Sequence, residues 1–205
     1  HIAGEQSGRN WGWVRIQGRD TREVPMMQES LRIWERFKEE TGDDVGFVRR
    51  GCTFAARTDK EMRAFEDWIE VAREHGIDSR LVDAGELRKH VRDASIDWAG
   101  AVFTPSDGRA EPHKATPAFA RAAERAGATI LTSCAVRGIE TSGGGVSAVV
   151  TEHGTIRTSV VLCAAGAWTS LFCRSLGIAV PQLKVRGTVA RTAPGADVLD
   201  GNLFD

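Results

Sequence analysis

Apolar residues recur three and four positions apart between Val24 and Thr41, at Met27, Leu31, Trp34 and Phe37, with Glu35, Arg36, Lys38 and Glu39 on the other side. That period predicts an amphipathic helix over 24–41, stopped by Gly42. A second helix is expected from Thr58, where Glu61 completes a capping box, with Met62, Phe65, Ile69 and Ala72 turned inward and Gly76 as its end. Asp83 and Glu86 form another such box ahead of a short helix reaching Val91, and Pro112 opens an alanine-rich helix to Ala126, closed by Gly127. Between these lie segments with strand character: 45–56, 98–104, 128–132, 135–140, 146–152 and 155–158, with turns at Gly143–Gly145 and His153–Gly154. Val160–Ala164 is a continuous apolar run of the kind found in a buried parallel strand, followed by a helix over 168–176 and a stop at Gly177. The alternation of Leu183–Thr192 predicts one more strand before a loop-like 193–201.

A glycine-rich hairpin between parallel strands does not suit a plain doubly wound domain. It suits a nucleotide-binding domain with an inserted α+β substrate domain. The fold class expected is therefore α/β with an α+β insertion.

Composition narrows the functions. The chain is 41% hydrophobic and 27% charged, with a formal net charge of -1, the profile of a globular protein rather than a disordered or fibrous one. No basic stripe supports nucleic-acid binding. The longest apolar stretch, near Ser159–Ala167, is too short to span a bilayer, and no basic-then-apolar leader is visible, so a cytoplasmic location is expected. Cys52, Cys134, Cys163 and Cys173 form no C-x-x-C pair and read as buried thiols in a reducing compartment, and the scattered histidines lack metal-ligand spacing.

Four stretches can carry chemistry. Gly4–Gly12 offers free backbone N–H groups, a hydroxyl and a guanidinium, which can cradle a pyrophosphate or form an ordinary surface loop. Val161–Trp168 delivers small residues to a strand end, where a flat cofactor can lie or where strand and helix pack closely. Asp107-Gly108-Arg109 is either a structural turn with a salt bridge or part of an active site, and Arg186 either pairs with a substrate carboxylate or sits on a solvated strand face. Motifs for phosphoryl transfer, zinc proteolysis and a serine nucleophile elbow are absent.

In this order the stretches resemble the D-amino-acid-oxidase-like (DAO) superfamily of FAD oxidoreductases. Ser7-Gly8-Arg9-Asn10-Trp11-Gly12 resembles the loop after the second Rossmann strand, which touches the flavin and its phosphates. Asp107–Pro112 resembles the D-G-x-x-x-P return from the substrate domain to the FAD domain. Cys134-Ala135-Val136 resembles the strand whose valine backbone faces the adenine. Val160–Trp168, with Ala164, Ala165, Gly166 and Trp168, resembles the V-v-x-A-a-G-a-W-s signature, and Leu176–Pro181 its continuation.

The resemblance implies an incomplete Rossmann-like FAD-binding fold with part of an interleaved substrate domain. The division it implies is FAD domain over 1–44, substrate domain over 45–104, FAD domain again over 105–180, and a further substrate-domain segment from 181 to 205. In such a family the G-x-G-x-x-G and the ribose-binding acid precede His1 and much of the substrate pocket follows Asp205, so this chain alone is expected to be poorly soluble. Arg9 stands where some relatives attach FAD through histidine, which implies non-covalent flavin. The implied activity is oxidation of an amino acid or secondary amine by hydride transfer to flavin N5, giving an imine, with no metal and a small-molecule amine substrate. Alternatives are a 2-hydroxy-acid or glycerol-phosphate flavin oxidoreductase, and a non-catalytic subunit or inactive fragment.

Overall fold

The computed structural model describes residues 1–205 except Asp93, Ala94, Pro194, Asp197 and Asp200. In chain order the elements are β1 (Trp13–Val14), α1 (Val24–Thr41), β2 (Val48–Arg49), β3 (Cys52–Ala56), α2 (Asp59–Glu74), β4 (Arg80–Asp83), α3 (Ala84–His90), β5 (Gly100–Thr104) and β6 (Gly108–Arg109). They continue with α4 (Pro112–Arg125), β7 (Val136–Ser142), β8 (Gly145–Thr151), β9 (Gly154–Arg157), α5 (Thr169–Ser175) and β10 (Asn202–Phe204).

The amphipathic helices form where the periodicity places them. In α1 the residues Val24, Leu31 and Phe37 are buried, and Gly42 ends the helix in a left-handed conformation with its N–H on the Lys38 carbonyl. Thr58 and Glu61 cap α2 reciprocally. At α3 only half of the expected box forms: the Asp83 carboxylate accepts the Glu86 N–H, while the Glu86 carboxylate turns to Arg80 at 2.6 Å. A charged partner outcompetes a backbone N–H for that side chain.

Three small sheets hold the strands. Strands β1, β6 and β2 pair antiparallel, Trp13 opposite Arg109 and Val48 also opposite Arg109. A four-stranded sheet has the order β10-β3-β5-β4, with β10 parallel to β3 and the remaining pairs antiparallel. The meander β7-β8-β9 turns through Gly143 and Gly144, both at positive φ as a tight two-residue hairpin requires.

One core gathers Val14, Ile16, Val24, Leu31, Ala72, Ile77 and Ala110, and a neighbouring one joins Phe37, Val45, Ala115 and Ala118. Trp34 stacks on Phe47 with ring centroids 6.1 Å apart, and Phe37 meets Phe119 at 4.6 Å, so aromatic side chains join α1 to α4 and to the segment before β2.

Several expected strands differ. The segment 45–56 is two strands in two sheets, broken at Gly51, whose φ is +76° and whose Cβ would lie 2.2 Å from the Phe103 ring. Ala128–Thr132 forms no strand. Neither Val160–Ala164 nor Leu183–Thr192 is a strand: Leu162 is 89% exposed and Leu183 92%. Among the described residues no strand runs alongside either, and an apolar run without a ladder partner has nothing to satisfy its backbone. Strand β10 falls beyond the expected loop 193–201, of which 194, 197 and 200 lie outside the described residues. No helix among the described residues is long and apolar enough to cross a membrane.

Candidate functional site

The loop before β1 is tied by its own side chains. Asn10 donates to the Ser7 carbonyl at 2.9 Å and accepts from the Gly12 N–H at 2.8 Å. Gly8 and Gly12 permit close backbone approaches: a Cβ on Gly8 would lie 2.0 Å from the Ala3 carbonyl oxygen, and one on Gly12 2.2 Å from that of Ala110. The Thr116 hydroxyl of α4 donates to the Ser7 carbonyl at 3.2 Å, and Ala110 N–H reaches the Gly12 carbonyl at 2.8 Å. The D-G-x-x-x-P segment is thus fastened to the 7–12 loop across a hundred residues of chain.

Gly166 joins this group. At φ +53° it lies so close to Gln6 that a Cβ would be 2.4 Å from the Gln6 amide oxygen. Gln182 donates to the Gly166 carbonyl at 2.8 Å and accepts from Ser170 N–H. Ala164 and Ala165 run up to this contact on the exposed side, and Trp168, also exposed, donates its N–H to the Ala165 carbonyl. Arg9 is exposed and paired loosely with Glu5 at 3.9 Å, and Trp11 is exposed with its ring 5.8 Å from that of Trp13. Val136 opens β7, paired with Thr151, and makes no described contact with the loop. Arg186 lies in the exposed, strandless segment.

Two cavities flank β1. The larger, about 350 Å³, has Ser7, Asn10 and Thr116 as its polar lining, with small Gly12, Ala110 and Ala115. Trp34 and Phe119, edge to face at 5.6 Å, make its aromatic corner. The smaller, about 140 Å³, is lined by Arg15 and Arg19 together with Ser30 and Met27. Trp13, Val14 and Trp34 line both. Arg15 lies over the Phe54 ring, 5.2 Å from its centroid, and donates to the Gln17 carbonyl. Burial, then the like charge of Arg19, holds the Arg15 guanidinium below its ordinary pKa.

Behind this pocket lies Asp107, fully buried. Its carboxylate accepts the Ile16 N–H at 2.7 Å and the Gln17 N–H at 3.1 Å. Burial pushes the carboxyl up to about 6, against the downward pull of those two N–H bonds and of Arg15. The Gln17 amide oxygen accepts from Thr104, whose hydroxyl is 2.5 Å from that of Ser79, which in turn accepts from Trp68 at 3.0 Å. Arg15, Arg19 and Gln17 were not expected as site residues. The signal open to sequence was the cation spacing in Arg15-Ile16-Gln17-Gly18-Arg19, directly after the glycine-rich loop. Among the described residues no group of three or more His, Cys, Asp or Glu could hold a metal ion.

The family model for FAD dependent oxidoreductases (DAO) matches residues 1–204. Mitochondrial sarcosine dehydrogenase of Mus musculus is 31% identical over 166 residues, 78% of this chain and 18% of that protein. The beta subunit of sarcosine oxidase from an Arthrobacter species is 26% identical, over 88% of this chain and 46% of its own. In three dimensions the chain resembles L-amino acid deaminase from Proteus myxofaciens, solved in complex with anthranilate, with a TM-score of 0.81 and 35% identity. That match covers 87% of this chain and 41% of that one. L-proline dehydrogenase from P. horikoshii superimposes with a TM-score of 0.72 at 30% identity, over 80% of this chain and 44% of its own. The chain therefore spans less than half the length of these relatives, and its mixed α/β structure is part of the Rossmann-like FAD-binding fold they share.

Proposed function

Because the chain belongs to the FAD-dependent oxidoreductase (DAO) family, we propose that the protein it forms oxidises the amine of a small amino acid or N-methyl amine carrying a carboxylate. The observation that carries this reading is the pair of cavities sharing the Trp13–Val14–Trp34 wall, one aromatic and one dicationic. A substrate bridging them would have its carboxylate on Arg15 and Arg19 and its amine-bearing carbon toward the larger cavity.

The residues present fit a flavin nucleotide. The larger cavity has flat aromatic walls and small residues where a planar ring needs close approach, and the Ser7–Gly12 loop beside it is fixed by the two hydrogen bonds of Asn10. In our reading Ser7, Gly8, Arg9, Asn10, Trp11 and Gly12 hold FAD from one side and Ala164, Ala165, Gly166 and Trp168 from the other. Contact between Gly166 and Gln6 supports their convergence. Val136 is assigned to the adenine side on the resemblance alone. No histidine stands in the loop, which supports non-covalent binding. Bound FAD supplies a two-electron acceptor for the hydride of the amine-bearing carbon, leaving an imine for water to hydrolyse.

The chain's own work is orientation and exclusion of water. Arg15 and Arg19 fix the carboxylate, and the Trp13 and Trp34 rings shield the carbon that loses hydride. The segments 1–44 and 105–180 form the cofactor side in this division, 45–104 and 181–205 the substrate side. Four free cysteines support a reducing compartment, the cytoplasm in our reading.

The test is anaerobic titration of the full-length protein with D- and L-amino acids, N-methyl amino acids and 2-hydroxy acids, following flavin absorbance. Bleaching by an amine supports the proposal. Bleaching only by hydroxy acids would transfer the site to alcohol oxidation, and a purified protein that contains and binds no flavin would end the reading.

A further inference from the structure

Asp107 is chemically expensive where it stands. It is fully buried, and both carboxylate oxygens go to the backbone: Oδ1 to Ile16 N–H at 2.7 Å, Oδ2 to Gln17 N–H at 3.1 Å. These two peptide units follow Arg15 directly, and the Arg15 guanidinium turns back onto the Gln17 carbonyl. The Gln17 side chain is anchored separately through Thr104. Asp107 itself is fixed on the substrate-sheet side, since its carbonyl accepts the Gly51 N–H at 2.8 Å and its N–H reaches the Thr104 carbonyl at 3.2 Å. The Arg15 segment is therefore tied through the Asp107 carboxylate to Gly51 and to Thr104 at the end of β5.

We propose that Asp107 is a positioning residue for anion binding: it fixes the Ile16–Gln17 backbone and thereby holds the Arg15 guanidinium over Phe54, beside the pocket that Arg15 and Arg19 line. This rests on reading that pocket as the carboxylate site. The groups that face Asp107 are Arg15 from the segment after β1, Asp78 from the loop before β4, and the Cys52 thiol of β3, which burial pushes up to about 12 and keeps neutral. Asp78 accepts the Ser106 hydroxyl at 2.6 Å, so its charge stays beside Asp107 and adds to the effect of burial.

Position and field act with opposite signs here, which makes the proposal testable. A negative charge near Arg15 weakens an anion's attraction to it, so a purely electrostatic Asp107 would oppose binding. An Asp107 that positions Arg15 assists binding when ionised, because only the carboxylate accepts both N–H groups.

The experiment uses the full-length flavoprotein and two probes that cannot be oxidised, since the carbon bearing their amine carries no hydrogen: anthranilate and its neutral amide, 2-aminobenzamide. Dissociation constants are read from the flavin spectrum between pH 5.5 and 8 and expressed for the carboxylate form of anthranilate. For the wild type we expect anthranilate to tighten as pH rises through about 6, with the amide unchanged. Asp107→Asn is expected to weaken anthranilate at pH 8 by at least about threefold, from the loss of one charge-assisted hydrogen bond, and to flatten the profile. Arg15→Met should weaken anthranilate at every pH and leave the amide as it was. If Arg15→Met changes nothing, the pocket reading fails. If Arg15→Met weakens binding but Asp107→Asn tightens it or leaves it unchanged, the pocket stands and the positioning role is overturned. Should Asp107→Asn not fold, the slope of the wild-type profile decides alone: tightening toward low pH would overturn the proposal.

Discussion

Gly12 shows how much of the site rests on a missing side chain. Its φ of +74° costs a non-glycine residue about 1–3 kcal/mol, and a Cβ would press on the Ala110 carbonyl at 2.2 Å. That carbonyl belongs to the segment which fastens α4 to the loop through Ala110 N–H and Gly12 O. Gly12→Ala should therefore both lower the denaturation midpoint by an equivalent of about 1–3 kcal/mol and reduce flavin retention on gel filtration, because loop and helix must part. A variant of wild-type stability and full flavin content would show that the close approach is dispensable. At this scale the glycines and Asn10 were legible from sequence, because conformational freedom and short polar side chains are properties of single residues. Asp107 was legible only as a turn or active-site candidate, since its carboxylate's partner Ile16 lies 91 positions away, and Arg15 was not legible as a site residue.

Elements with a strong local code form as the sequence predicts, and most of the misread segments are ones whose outcome depends on a distant partner. Helix α1 begins and ends at the expected residues because its apolar stripe, Pro25 and Gly42 all act within one or two turns. The run Val45–Ala56 was misread as one strand, and the break at Arg49-Arg50-Gly51 carries a readable signal: two adjacent charges followed by a glycine. Val160–Ala164 is the reverse case, since its pattern is that of a central strand but among the described residues no strand lies on either side of it. Strand β10 was invisible because three residues carry no periodicity; register against Cys52–Phe54 defines it. The value of a local code is measurable at α2. Thr58 accepts the Glu61 N–H at 3.3 Å while Glu61 accepts those of Thr58 at 3.1 Å and Arg57 at 2.7 Å. Thr58→Ala should cost about 1 kcal/mol in urea unfolding, and Thr58→Ser much less. Equal losses in both variants would assign the effect to the threonine methyl rather than the cap.

For the whole molecule, two sets of carboxyls pull stability in opposite directions as pH changes. Asp43, held by Arg125 and Arg121, Glu61, held first by the Arg57 N–H, and Asp205, held by Arg57, all have depressed pKa values. Their contribution is present above the unfolded pKa and is lost as pH falls through the folded one, so they drive acid unfolding below about pH 4. Asp107 behaves oppositely. Its folded pKa of about 6 lies above the ordinary 3.8, so between those values the native state binds more protons than the unfolded state. Its contribution is most favourable below the unfolded pKa and declines as pH rises to about 6, for a total on the order of 3 kcal/mol at most. Asp107→Asn removes this titration and leaves the others in place. The stability of the Asn variant minus that of the wild type should therefore rise between pH 4 and 6 and level off above, whatever constant offset the lost hydrogen bond adds. Urea midpoints of both proteins at half-unit pH steps measure it. A flat difference would mean that Asp107 is ionised throughout, with its two backbone N–H groups outweighing its burial.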